Sequence, residues 1–378
     1  MRLDVLRLDP VHGWTIPRPP PDDGRETLVL AFGARELSSR PDVWKALVQA
    51  YPRAILAGCS TAGEVFDATV SDGSVSVAVL RFEHSMVRLA YAAVDRVEES
   101  FDAGRSLARE LWAQDLRAVL VLSDGLRTNG SELTRGLSDV LPAGVQVFGG
   151  LAGDGPRFRE TWILKDGKPA SGWVSAVGLR GERVRVRHGS AGGWDVFGPQ
   201  RRVTRSRGPV LYELDGKPAL ALYREYLGDF AGHMPAAALR FPLALCAGDD
   251  GRRPLVRTVL SVDEPSQSMT FAGDVPQGCL AQFMQGNYHR LVADAGRAAA
   301  SIGSRPGEPP GLALVVSCVG RRLLLGERTE EELEAVREAL PPGTRMVGFY
   351  SYAEIAPSPD GFCDLHNQSL TLATISES

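Results

Sequence analysis

Cysteine is scarce in this chain of 378 residues: there are five, an odd number, at long spacings and with no C-x-x-C pair. That argues against a disulfide framework and a zinc knuckle, and the lone Cys363-x-x-His366 pair is too small a ligand set for a metal. No metal and no cofactor is expected. Lysine is scarcer still, at four of the 42 basic residues (Lys45, Lys165, Lys168 and Lys217). The net charge of −4 lacks the basic footprint of a nucleic-acid protein. Long apolar runs are missing too, so no segment reads as a membrane span. The opening MRLDVLRLDPVHGW carries acids and no continuous apolar stretch, which argues against a secretory signal. The expectation is a cytoplasmic protein with neither nucleic acid nor membrane as partner.

What the chain does have is a globular composition, 44% hydrophobic and 23% charged. Its length exceeds one ordinary core, so two domains are expected. Residues 1–24, with PRPPPDD at 17–23, read as an extended arm without a core. Beyond them, short β-branched runs alternate with amphipathic stretches. Strands are expected at 27–32, 54–57, 74–82, 86–93, 118–122, 145–148, 160–164, 173–179 and 183–187, and helices at 41–51, 101–113 and 131–141. Arg183, Arg185 and Arg187 alternate with Val184 and Val186, as in a strand with one wet face. The Gly-, Pro- and Arg-rich GPQRRVTRSRGPVL at 198–211 reads as a junction between a domain over 25–208 and one over 209–378. In the second, Leu220, Tyr223 and Leu227 fall at helical spacing. Strands follow near 241–246, 255–261 and 268–272, then a helix over 288–302, strand 312–317, helix 329–340, strand 344–348 and strand 368–375. Thr329 and Glu332 have the spacing of a capping box.

A repeat runs through this pattern. TLVLAF leads through a helix to RAILAGCSTAGEV, and LALVVSCVGRR leads through a helix to TRMVGFYSYAEI. Gly58 matches Gly348, Thr61 matches Ser351 and Glu64 matches Glu354. A weaker third copy runs from AVLVLSDGLRTNG to VQVFGGLAGDG, with Gly149-Gly150 at the strand end and Asp154 one place earlier than the other acids. The fold class that follows is α/β, with α+β as the alternative. Duplicated β-α-β units with added hairpins, such as 74–82 with 86–93, would form mixed layered sheets flanked by helices. Each unit presents a small-residue loop at a strand end, where ligands of α/β proteins often sit.

The motifs GCSTAGEV, VFGGLAGD, LYELDGKPALALYREYLG, VSCVGRRLLLG, GFYSYAEI and HNQSLTL occur in that order. Together they resemble the FIST family (F-box and intracellular signal transduction proteins), with an N-terminal and a C-terminal FIST domain over roughly residues 27–375. Two positions depart from the usual family motifs: Ala353 stands where Gly is usual, and Ser369 where Thr is usual. The resemblance implies a sensory module that binds a small ligand, with an amino acid or related metabolite as the class. It also implies a separate signalling protein, such as a histidine kinase, as partner.

The candidate ligand residues lie on the repeat loops and the closing motif. Glu64 and Glu354 each follow a hydroxyl at i−3, so each is either a ligand contact for a cationic group or part of a structural turn. Cys59, Ser60 and Thr61 precede the first acid, and Gly149, Gly150 and Asp154 form the third copy. Cys318 and Arg321 end VSCVGR, where an Arg could grip a ligand carboxylate bidentately or pair with a helix acid. Tyr350, Tyr352, His366 and Asn367 suit a pocket wall. No catalytic residue is expected. A nucleophilic Cys59 or Cys318 with His366 as base is the competing enzyme reading, but a cysteine at a strand end is more simply a small buried hydrophobe. The other alternative is a protein-interaction module without ligand, whose loops only stabilise the fold. GCSTAG has its second glycine one place too late for a nucleophile elbow.

Overall fold

The computed structural model describes every residue except 10, 11, 16–23, 25, 235, 247–254, 304–310 and 358–361, so PRPPPDD lies outside the described residues. Three mixed sheets, one antiparallel sheet and their flanking helices make up the described fold. Three of the sheets are copies of one plan, which confirms the α/β class.

Each copy begins with a parallel strand pair joined through helix. In the first unit, Thr27–Ala34 passes through the helix Pro41–Ala50 to Ile55–Thr61. In the second, Leu116–Ser123 passes through Gly130–Ser138 to Gln146–Leu151. In the third, Leu312–Cys318 passes through Val319–Leu325 and Thr329–Ala339 to Arg345–Ser351. An antiparallel strand then lies against the other side of each first strand: Val75–Arg81, Trp173–Arg180 and Leu370–Glu377. The first strands are buried along their length except at Arg117, as expected for apolar runs covered on both faces.

The outgoing strand of each unit leaves for a neighbour. Glu64–Phe66 pairs with Arg345–Ser351 of the third unit. Ala353–Pro357 pairs with Gln146–Leu151 of the second. Ile163–Lys165 pairs with Ile55–Thr61 of the first, through Ile163 and Cys59. Each unit gives a strand and receives one, so the three close into a ring. Three equivalent backbone hydrogen bonds mark the crossings: Ala62 N to Tyr350 O at 2.7 Å, Gly153 N to Ser60 O at 3.1 Å, and Tyr352 N to Leu151 O at 3.0 Å. Inside the ring the inner faces of the sheets share one core, with Leu30, Leu120 and Leu314 among its members. Phe32 stacks on Phe349 within it, centroids 4.8 Å apart.

The repeated glycine has a steric cause. A Cβ on Gly58, Gly149 or Gly348 would lie 1.9, 1.9 and 1.8 Å from the carbonyl oxygen of Ala31, Val121 and Val315, its partner on the adjacent parallel strand. Gly348→Ala is therefore expected to destabilise the fold by about 2–3 kcal/mol through forced overpacking. Chemical denaturation would measure it, and a loss below about 0.5 kcal/mol, the range of an ordinary surface change, would refute the steric argument.

Several expectations change. Strands 74–82 and 86–93 do not pair as a hairpin. Val75–Arg81 lies in the first sheet, and Met86–Ala93 is an outer strand of the second, beside Trp173–Arg180. The start of the presumed arm is a strand, Arg2–Asp9, paired with Val75–Arg81 and burying Val5 and Leu6. The stretch read as a junction holds most of one long strand, Trp194–Arg207, which pairs with both Leu280–Gly286 and Val210–Leu214 in the eight-stranded fourth sheet. Helix Ala219–Leu227 buries Leu220, Tyr223 and Leu227 against that sheet. Helix Thr329–Ala339 begins where expected but forms no capping box. The Thr329 hydroxyl donates to Gly326 O at 2.5 Å, and Glu332 is used elsewhere. Among the described residues no helix is long and apolar enough to cross a membrane.

Candidate functional site

At the first crossing the chain runs Thr61-Ala62-Gly63-Glu64. Gly63 has φ +135, which suits glycine and turns the chain toward the third sheet. Glu64 is buried, and among the described residues no cation forms an ion pair with it. The Thr61 hydroxyl donates to one carboxyl oxygen, and the Ser74 N–H and hydroxyl, at 2.9 Å each, donate to the other. Burial pushes the Glu64 pKa up to about 7 against these donors, and nearby Asp72 adds to the rise.

Glu354 repeats the arrangement atom for atom. The Ser351 hydroxyl donates to one oxygen at 2.7 Å, and the Ser369 N–H and hydroxyl donate to the other at 3.2 and 2.8 Å. Burial raises its pKa to about 8 against the same kinds of donor. Each glutamate thus clips the turn preceding its strand to the start of its own unit's antiparallel strand. The spacing read as a capping box is real, but a strand follows the acid where a helix would have to.

The second unit achieves the same with a residue absent from the sequence reading. Asp124, just past Leu116–Ser123, accepts the Thr161 hydroxyl at 2.7 Å and the Gly172 N–H at 2.7 Å. It also takes the N–H groups of Leu126 and Arg127. Its signal in the sequence was the SDG turn after an apolar strand.

An open cleft of about 860 Å³ has walls from all three units. Thr61, Ala62 and Glu64 come from the first crossing, Asp154 and Arg157 from the second unit's loop, and Val319, Arg322 and Leu323 from the third unit's helix. Arg35, Glu36, Asp72, Glu327 and Glu330 complete its charged rim. The cations are pre-paired: Arg35 with Glu160, Arg157 with Glu36, and Arg322 with Asp72. The Arg322 hydrogen bonds hold the Asp72 carboxyl below its ordinary range.

Of the residues read from the sequence, Thr61, Glu64 and Asp154 line the cleft. Asp154 also organises its own loop. Burial alone would raise its pKa, but the Tyr352 hydroxyl and the N–H groups of Glu160, Arg159 and Phe158 hold it lower. Tyr352 stacks on Phe158, centroids 4.4 Å apart.

The others lie away from the cleft wall. Cys59 and Cys318 are buried, and burial raises both thiols. Ser60 accepts the Trp162 N–H at 3.1 Å. Gly149 sits against Val121, and Gly150 pairs with Glu354 across the second crossing. Glu354 is fully buried and does not line the cleft that Glu64 lines. Arg321 is inside the protein, bonded to Glu332 and to the carbonyls of Gly192 and Leu291. Tyr350 donates to the same Glu332 at 2.7 Å. His366, Asn367 and Gln368 form a turn in which His366 Nε2, Asn367 Oδ1 and Gln368 Oε1 are buried without partners among the described residues.

Comparison with known proteins bears on two spans. Residues 27–217 match the model of the FIST N domain, and residues 219–357 match that of the FIST C domain. Comparison with functionally curated proteins returns no match.

Proposed function

Because the chain belongs to the FIST family, whose domains are associated with signal transduction, we propose that it is a non-catalytic sensor binding a small polar ligand in the three-walled cleft. One observation carries this reading: the cleft lies where the exchanged strands cross, so an occupant touches all three units at once. Its volume is within the usual span of small-molecule sites, and its wall offers both carboxylates and guanidinium groups. That mixture suits a zwitterion, and an amino acid or related metabolite is the proposed class. A ligand that favours one arrangement of the three units shifts the population toward it. The output then passes to a separate cytoplasmic signalling protein, such as a histidine kinase. The buried thiols of Cys59 and Cys318 favour a binding protein over a cysteine enzyme, since a nucleophile needs access and a lowered pKa.

Thermal melting with a panel of amino acids and related acids tests the reading. A true ligand at ~100 times its Kd stabilises by about 2.7 kcal/mol. Leu323→Trp, at a cleft residue that is 42% exposed, is expected to blunt that response by filling the space. A flat response across the panel at millimolar concentrations defeats the proposal.

A further inference from the structure

Three guanidinium groups reach the cleft, and Arg322 is held differently from the other two. Its Nη1 donates to the Ala62 carbonyl at 2.6 Å. Its guanidinium lies against Gly63, where a Cβ would collide with it. Its central carbon is 5.7 Å from the centre of the Tyr350 ring. These contacts fix the cation from one side, on backbone that belongs to the ring crossings. Arg35 and Arg157 pair with Glu160 and Glu36, and neither donates a side-chain hydrogen bond to a carbonyl among the described residues.

On its other side Arg322 meets Asp72 in a two-pronged contact, Nη1 to Oδ1 at 2.8 Å and Nη2 to Oδ2 at 2.7 Å. This is the fork by which arginine recognises any carboxylate. The two partners are unequally held. The Asp72 side chain is 74% exposed and the Arg322 side chain 23%. Asp72 rides on the turn between Thr69–Ser71 and Val75–Arg81, beside Gly73 at φ +81. A pair with one partner so exposed contributes little to stability, so exchanging that carboxylate for another costs little.

We propose that Arg322 is the carboxylate-recognition residue of the cleft and that Asp72 is its resident stand-in, displaced when a ligand carboxylate takes the fork. This rests on the cleft being a ligand site. It also supplies a route for the signal. Ser74, two residues along the same turn, holds Glu64 through its N–H and hydroxyl. Release of Asp72 therefore acts on the clip that fastens the first crossing, and on the edge strand Thr69–Ser71 of the third sheet.

Titration calorimetry on the full chain tests this with the twenty protein amino acids as probes. For each that binds, the matching amide, lacking the carboxylate charge, is the control. Asp72→Asn removes the competitor and is expected to tighten amino-acid binding by roughly three- to tenfold, while the amides gain nothing. In an Arg322→Gln background the same Asp72 change is expected to gain nothing, which separates contact from a general change in charge. If Arg322→Gln does not fold, Arg322→Lys serves; it keeps the charge but loses the fork, and is expected to weaken carboxylate binding. Unchanged affinity in Asp72→Asn, or a gain that persists without Arg322, overturns the displacement while leaving the cleft as a ligand site. No binding by any of these proteins removes the ligand site itself, and the displacement with it.

Discussion

Glu332→Ala is expected to lower the unfolding free energy by about 3–5 kcal/mol, the range for stranding one partner of a buried ion pair. Arg321 and Glu332 are both completely buried and bonded at 3.0 Å through Nε and 2.8 Å through Nη2. The remaining oxygen of Glu332 accepts the Ser317 hydroxyl at 2.9 Å and the Tyr350 hydroxyl at 2.7 Å. Removing the carboxylate leaves a buried cation and two buried hydroxyls without that acceptor. Arg321→Met with Glu332→Leu removes both charges and is expected to cost less than either single truncation to alanine. Urea denaturation of the three variants provides the measurement. A single-mutant loss under about 1 kcal/mol, the worth of an exposed pair, would show that the pair is not shielded as described. The pair also bears on ligand binding, because Arg321 anchors the helix that points Arg322 into the cleft. A loosened Arg321 is therefore expected to weaken ligand affinity without being touched by ligand.

The second large effect is on pH. Glu64 and Glu354 have folded pKa values of about 7 and about 8, against an ordinary value of 4.5. A carboxyl whose pKa is raised by folding binds a proton in the native state that the unfolded chain releases. Stability from these groups is then complete below about pH 4.5 and declines as pH rises through 7 and 8. At ~1.4 kcal/mol per unit, Glu64 alone accounts for a decline of about 3 kcal/mol. Glu64→Gln mimics the protonated acid, and is expected to match the parent near pH 5 and to exceed it by about that amount at pH 8–9. Glu354→Gln is expected to behave in the same way with the crossover shifted upward. Denaturation curves at pH 5, 7 and 9 decide it; a Gln variant that is less stable by the same amount at every pH would mean the carboxylates stay ionised on their hydroxyl and N–H donors.

Much of the scaffold was legible because it is written in local terms. The glycine inside each second parallel strand is there because Ala31, Val121 and Val315 leave no room for a Cβ, and that requirement surfaces in the sequence as Gly58, Gly149 and Gly348. Hydroxyl–acid spacing at 61–64 and 351–354 likewise reflects hydrogen bonds three residues apart. The exchange of strands was not legible. Glu64–Phe66 is three residues long, and nothing within three residues states which sheet receives them. The 82–85 connection looked like a hairpin turn because it is short and polar. Its N–H groups at Glu83 and His84, and the Ser85 hydroxyl, instead face the distant Glu377 carboxylate. Burial there is outweighed by these donors, and the Glu377 pKa falls to about 2. Of the adjacent Arg321 and Arg322, the sequence reading favours Arg321 as the ligand residue, whereas Arg322 lines the cleft. Adjacent residues on a helix point about 100° apart, and only the docking of Val319–Leu325 decides that Arg321 faces inward and Arg322 the cleft.

The crossing of strands between units also bears on how the polypeptide is made. The first sheet can gather all its strands by the time residue 170 is synthesised. The second waits for Ala353–Pro357 and Cys363–His366, and the third cannot form before Leu312–Cys318 exists. Over that interval Gln146–Leu151 and Glu64–Phe66 present unpaired edges to a crowded cell, where such edges invite aggregation, and the long sequence separation of their final partners slows closure. During translation, then, the closing of the ring has a period of vulnerability that ends only when the last strands emerge.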